Sequence, residues 1–102
     1  MPTEKLECRY FVSYSGVKLP LNLLNELHDS ERKNRNTYFL GFYTADQRLM
    51  RCEKRVYGEI ELLHRYQYHS NGVLRQAEIT DADGELTVLT FDTQGQPIPV
   101  GH

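Results

Sequence analysis

Three side chains that could bind a ligand stand at every second position of one segment. His64, Tyr66 and Tyr68 are two residues apart, so a β-strand would place them on one face together with Ile60 and Leu62. An imidazole in such apolar surroundings needs hydrogen-bond partners, which the tyrosine hydroxyls could supply. The set predicts either a hydrogen-bonded core or a ligand pocket whose histidine changes charge near neutral pH.

A second candidate site is basic. Arg51, Arg55 and Arg65 could bind an anion if neighbouring strands bring them together. Glu53 alternates with the first two on the same strand face, and opposite charges on the wet face of a sheet commonly pair with each other. We therefore expect an anion site only if the guanidinium groups converge without carboxylate partners.

The sequence offers little for catalysis or for metal binding. Nucleophile-elbow, phosphate-loop, dinucleotide-binding and His-Glu-x-x-His motifs are all absent. His64 and His69 are five apart and would face opposite sides of one strand, and Cys8 and Cys52 lack the spacing of a zinc site. We expect no catalytic residue, no metal and no cofactor, with a histidine–tyrosine acid–base enzyme as the alternative.

Strands must position these side chains, because residues 38–98 alternate short apolar or aromatic runs with polar turns. Asn71-Gly72 and Asp83-Gly84 predict hairpins with type I′ turns, since both central residues of that turn need positive φ. No long helical period lies between the turns. The segment therefore predicts an all-β, single-domain antiparallel meander.

The N-terminal third predicts a hairpin and a connection. Residues 9–14 are rich in aromatic and β-branched side chains, and residues 17–23 alternate apolar with polar side chains. Pro20 cannot donate to a ladder, so the second strand should lie at an edge or a bulge. Residues 24–36 predict a surface connection that contains one short helical turn near 29–34.

Length and charge exclude several classes of function. The chain has 102 residues and a formal net charge of −2, which suits one domain and makes general nucleic-acid binding unlikely on electrostatic grounds. It contains no apolar run of roughly 18 residues that would span a membrane and no apolar signal-peptide core. We expect a cytoplasmic protein in which Cys8 and Cys52 remain thiols.

A flat sheet of this size would leave its apolar face in water, so something must cover that face. The alternatives are curvature of about 7–8 strands into a strongly curved sheet or a small barrel, cover by the N-terminal third, or cover by a second copy. The last alternative would make the protein a homodimer.

The sequence resembles two known families. Residues 9–21 (RYFVSYSGVKLPL), with residues 34–38 and 56–59, resemble a family of short bacterial proteins of unknown function, which implies no established activity. Residues 68–74 (YHSNGVL) are similar to the Tyr-x-x-Asn-Gly-x-Leu phrase of MORN-type β-repeats, which implies a meander used as a scaffold or a binding surface. The meander, the near-neutral charge and the missing motifs favour a non-enzymatic interaction module, with a small-ligand cup on the concave apolar face as the alternative.

Overall fold

The computed structural model describes residues 5–15, 19–33 and 35–99. These residues form one eight-stranded antiparallel sheet and one helical turn, with the strand order β2-β1-β3-β4-β5-β6-β7-β8. The elements are β1 (Glu7–Ser15), β2 (Asn22–Leu27), α1 (Asp29–Arg32), β3 (Thr37–Tyr43), β4 (Leu49–Val56), β5 (Glu59–Tyr68), β6 (Leu74–Thr80), β7 (Leu86–Phe91) and β8 (Pro97–Ile98).

The predicted fold class is confirmed. From β3 onward every strand pairs with the next one in the chain, and the hairpin of β1 and β2 joins the meander through pairing of β1 with β3. The two outer strands, β2 and β8, do not pair with each other. The sheet is therefore open and curved, and of the two predicted forms it is not the small barrel. The helical turn α1 lies in the predicted 29–34 region.

Four hairpin turns share one geometry, and it differs from the type I′ turn predicted for two of them. In each, the first residue donates its backbone N–H to the carbonyl of the fifth residue, as from Asp81 to Glu85 at 3.1 Å. The fourth residue has positive φ, so each turn is a three-residue connection that ends in a left-handed residue. The turns span residues 44–48, 69–73, 81–85 and 92–96, with Gln47, Gly72, Gly84 and Gly95 in the fourth position.

The type I′ turns expected at Asn71-Gly72 and Asp83-Gly84 are thus wrong in type, although both are hairpins. Only the glycine of each pair has positive φ. Asp81 Oδ1 instead accepts the backbone N–H groups of Asp83 and Glu85, both at 2.9 Å. Tyr57-Gly58 has positive φ at both residues, 51° and 82°, as a type I′ turn requires.

The second strand begins later than expected. A strand over residues 17–23 is wrong for residues 19–21, which lie outside the ladder, and right for residues 22 and 23, where β2 begins; residues 17 and 18 lie outside the described residues. Pro20 has no N–H for a ladder, and the N–H of Leu21 donates to the Tyr66 hydroxyl on β5 at 3.2 Å. The surface connection expected from residue 24 therefore starts only after Leu27, which is buried.

Curvature brings the N-terminal third over the concave face. Four strand spacings separate β2 from β5, which is roughly 19 Å in a flat sheet. The contact between Leu21 and Tyr66 shows that the sheet curls across that distance. The buried core lies on the concave side, with the partly buried Leu19 and Leu21 packed against it; its members are Phe11, Leu23, Phe39, Leu49, Cys52, Tyr66, Leu74 and Ala77.

Gly41 on β3 has no side chain, and this allows Leu23 and Tyr43 to pack close to its backbone. A Cβ at position 41 would lie 2.7 Å from Leu23 Cδ1 and 2.7 Å from Tyr43 Cε1. We expect Gly41→Ala to lower the free energy of unfolding by about 1–3 kcal/mol, because two core side chains must shift. Chemical denaturation measures the change. The control is Gly95→Ala, where an added Cβ would meet no side chain nearer than 3.8 Å and the cost would come from the positive φ alone. Unchanged stability of Gly41→Ala would contradict the packing argument.

Candidate functional site

His64 and Tyr66 form a buried hydrogen-bonded pair on β5. Their exposed fractions are 5% and 2%, and His64 Nδ1 lies 2.7 Å from the Tyr66 hydroxyl. The same hydroxyl accepts the backbone N–H of Leu21. Its own hydrogen is therefore available to Nδ1, which places the imidazole hydrogen on Nε2.

Burial keeps this pair uncharged. Desolvation lowers the pKa of His64 and raises the pKa of Tyr66, so both side chains favour their neutral forms near pH 7. Leu19 and Leu21 pack against the core cluster that contains Tyr66, and the N–H of Leu21 donates to its hydroxyl. A substrate would have to displace segment 19–21 to reach the pair, so the geometry favours the core arrangement for these two residues and gives no support to an acid–base role.

Tyr68, the third predicted ligand-binding residue, lies apart from the pair in an open groove. The groove has a volume of about 710 Å³ and runs between segment 19–20 and the ends of β6 and β7. Burial raises the pKa of Tyr68 to about 12, and its hydroxyl donates to the Leu49 carbonyl. The apolar side chains around it include those of Leu19, Pro20, Leu74, Leu89, Phe91 and Pro97.

Among the described residues that line the two depressions, one is a cation, Arg48. Arg48 lines the neighbouring depression of about 370 Å³, which shares Pro20, Tyr68 and Gly72 with the groove. The guanidinium carbon of Arg48 lies 5.0 Å from the centre of the Tyr68 ring, within the range of a cation–π contact. Arg48 forms no ion pair with a carboxylate in the described part of the chain.

Asp46 lies in the same depression, and it is held locally. Its carboxylate accepts the hydroxyl of Thr44, and that hydrogen bond, followed by its own backbone and the charge of Arg48, lowers the pKa of Asp46. Gly72 allows Arg48 to approach, since a Cβ there would lie 3.3 Å from Nη2 of Arg48. The arrangement therefore presents an apolar trough with a guanidinium at one end.

Two arginines of the predicted anion site already bind a carboxylate of the protein itself, that of Glu53. Arg51 Nε and Arg55 Nε donate to the two carboxylate oxygens of Glu53 at 2.8 and 2.9 Å. Glu53 is 2% exposed. Arg65 pairs in register with Arg51 on one side and with Glu78 on the other. Two of the three guanidinium groups thus converge on a carboxylate, which is the arrangement that disfavours binding of an external anion.

Reactive and metal-binding groups are dispersed. Cys8 is paired in register with Phe42 and Cys52 with Gly41, so the two thiols point to opposite faces and cannot form a bridge. Burial raises the pKa of Cys52 to about 12. Within residues 5–15, 19–33 and 35–99, no three histidine, cysteine or acidic side chains are grouped as metal ligands. No helix in those ranges could cross a membrane.

Sequence reasoning missed most of the groove. Leu19 and Phe91 are 72 positions apart, and no local pattern of the sequence connects them. One signal was available, because Leu19-Pro20-Leu21 is apolar yet contains a proline that a ladder disfavours, as expected of a segment that packs on a sheet and does not extend it.

Comparison with known proteins adds family membership. No curated protein and no solved structure matches the chain. The matching family model spans residues 3–100, which includes the stretch at residues 9–21 whose resemblance pointed to proteins of unknown function. It does not bear on the likeness to MORN-type repeats. The chain belongs to the family of unknown function DUF6156.

Proposed function

We propose that this protein is a non-enzymatic binding module whose concave groove holds a small ligand with an apolar body and one anionic group. The observation that carries the proposal is the apolar groove of about 710 Å³ with Arg48 at its border. Ligand sites in proteins are commonly concave, mostly apolar and 300–1,000 Å³ in volume, with few polar groups that fix orientation.

The apolar part of the ligand would lie along Leu89 and Phe91 on one wall and Leu19 on the other. Each methylene that leaves water for this surface contributes about 0.8 kcal/mol. Leu19 and Phe91 already pack against the core cluster, so these two side chains lose little conformational entropy on binding. A straight-chain carboxylate of medium length fits these requirements.

The anionic group would lie at Arg48. A guanidinium can hold a carboxylate through two parallel hydrogen bonds, and the ring of Tyr68 limits where the Arg48 side chain can go. Asp46 is engaged by Thr44 and partly offsets the charge of Arg48 without an ion pair to it. The site should therefore prefer an anion over a neutral or cationic group of the same length.

Calorimetry with decanoate, decanol and decyltrimethylammonium tests this preference. We expect decanoate to bind most tightly. Leu89→Glu should weaken it at least about tenfold, which corresponds to about 1.4 kcal/mol, because the substitution places a carboxylate in the groove. Val88→Glu is the matched control, since Val88 has nearly the same exposure, 37% against 38%, and points to the opposite face.

Arg48→Gln should remove the preference for the anion while decanol binding persists. Arg75→Gln, at an exposed arginine that contacts Gln67 away from the groove, controls for the loss of one positive charge. Equal binding of the three probes, or equal losses in Leu89→Glu and Val88→Glu, would refute the proposed site. No detectable decanoate binding at millimolar concentration would refute the proposed function.

A further inference from the structure

In the residues that the structure describes, the outer edge of strand β7 is paired over only part of its length. Its neighbour β8 pairs with only two of its residues, Thr90 and Phe91. On the other side, β6 pairs with β7 from Leu86 to Thr90. In the described part of the chain, the segment from Leu86 to Leu89 is therefore bonded along one side only.

The backbone hydrogen bonds of the two turns that flank β7 show which of its backbone groups face the unpaired side. Asp81 N–H donates to the Glu85 carbonyl, so Glu85, and with it the odd-numbered residues of β7, faces β6. Asp92 N–H donates to the Gln96 carbonyl, so even-numbered residues face β8. Leu86 and Val88 are even-numbered and precede the part that β8 covers. Their two N–H groups and two carbonyls therefore point outward.

The segment from Leu86 to Leu89 itself carries none of the usual protections of an edge. Exposed edges are commonly blocked by lysine, proline, a bulge or an inward-pointing charge. The sequence from Leu86 to Leu89 is Leu-Thr-Val-Leu, and its pairing with β6 is regular. Leu86 is 58% exposed. Such an edge can accept an added strand, with main-chain hydrogen bonds for affinity and alternate side chains for specificity.

The charge of the residues around this edge favours one kind of added strand over another. All 12 lysines and arginines precede residue 76, so the net charge of −2 hides an uneven distribution. Residues 76–99 contain no basic side chain and five carboxylates, Glu78, Asp81, Asp83, Glu85 and Asp92. Glu85 directly precedes the open edge, and Glu78 lies opposite Val88 in register. A second copy of β7 would bring two acidic hairpins together, whereas a cationic strand would be complementary.

We propose that the outer edge of β7 binds an extended, lysine- or arginine-flanked apolar peptide segment of another protein as an additional strand. Leu86 and Val88 supply two donors and two acceptors to that strand. The exposed Leu86 and Val88 side chains contact its alternate apolar residues on the face opposite the groove, and the carboxylates around the edge attract its flanking cations. The side chains of this surface lie on the face of β7 opposite the groove, which Leu89 lines.

The test uses an acetylated Lys-Val-Thr-Val-Thr-Lys peptide and the same peptide with glutamate in place of lysine. We expect the lysine peptide to shift the amide resonances of Leu86 and Val88 and to slow their hydrogen exchange. The glutamate peptide should bind at least about tenfold more weakly. Glu85→Gln should weaken the lysine peptide, and Glu7→Gln, on β1 near the other end of the sheet order, should not.

Main-chain pairing is tested from both partners. Val88→Pro removes one outward N–H, and N-methylation of the central valine of the peptide removes a donor without changing the protein. Each should reduce binding at least about tenfold. Equal binding of the lysine and glutamate peptides, or full binding of the N-methylated peptide, would overturn the proposal. Concentration-dependent dimerisation that Leu86→Lys abolishes would overturn it in favour of a second copy.

Discussion

Replacing Arg51 and Arg55 together by methionine is expected to lower the free energy of unfolding by about 3 kcal/mol. The two guanidinium groups cover Glu53, whose side chain is 2% exposed between two arginines that are 35% and 29% exposed. In register, Glu53 lies between Leu40 on β3 and Leu63 on β5. Without the arginines this carboxylate would remain in an apolar setting with no counter-charge.

The expected size lies at the low end for a broken buried pair, because both arginines contact solvent and water can partly replace them. Urea denaturation of the wild type and the double variant measures the difference. Adding Glu53→Met to the double variant supplies the control, since a fully apolar triad removes the unpaired charge and should restore most of the stability. A double variant as stable as the wild type would show that Glu53 is solvated and that the three residues form an ordinary surface network.

The strands could be predicted because their signals are local. Alternation with period two, and a glycine every 11–17 residues from Gly41 to Gly95, are read from neighbouring positions, and they located β3 to β7 well. Turn type is also local but depends on how many residues separate the paired strands. Asn71-Gly72 is compatible with both a two-residue and a three-residue connection, and the observed pairing of His69 with Val73 selects the longer one.

The candidate site could be predicted only in part because it depends on distant contacts. His64, Tyr66 and Tyr68 were correctly placed on one strand face, but what covers each of them comes from residues more than forty positions away. Leu21 covers Tyr66, whereas Tyr68 lies beyond that cover and lines the groove. Nothing in the period of β5 distinguishes the two tyrosines.

Removing the Tyr66 hydroxyl should also lower the free energy of unfolding by a large amount. Tyr66→Phe keeps the ring but leaves His64 Nδ1 and the Leu21 N–H without the hydroxyl that joins them. Each buried group that loses its partner costs about 1–3 kcal/mol, so we expect a loss of about 2–4 kcal/mol in the free energy of unfolding. Tyr14→Phe, at a tyrosine that is 48% exposed, is the control and should change stability little.

The pH dependence of the free energy of unfolding tests whether His64 and Tyr66 are buried as a neutral pair. Burial lowers the pKa of His64 in the folded protein, whereas the unfolded chain takes up the proton with a pKa of about 6.5. The unfolded state therefore binds more protons below pH 6.5, and stability falls as the pH drops from there toward the folded pKa, by up to about 1.4 kcal/mol per pH unit. His64→Gln, which keeps an acceptor for Tyr66, should flatten this part of the profile. The imidazole resonances of His64 should also resist titration until the protein unfolds. A wild-type profile that is flat between pH 6.5 and pH 5, or a His64 ring that titrates like a free imidazole in the folded protein, would show that the pair is open to water.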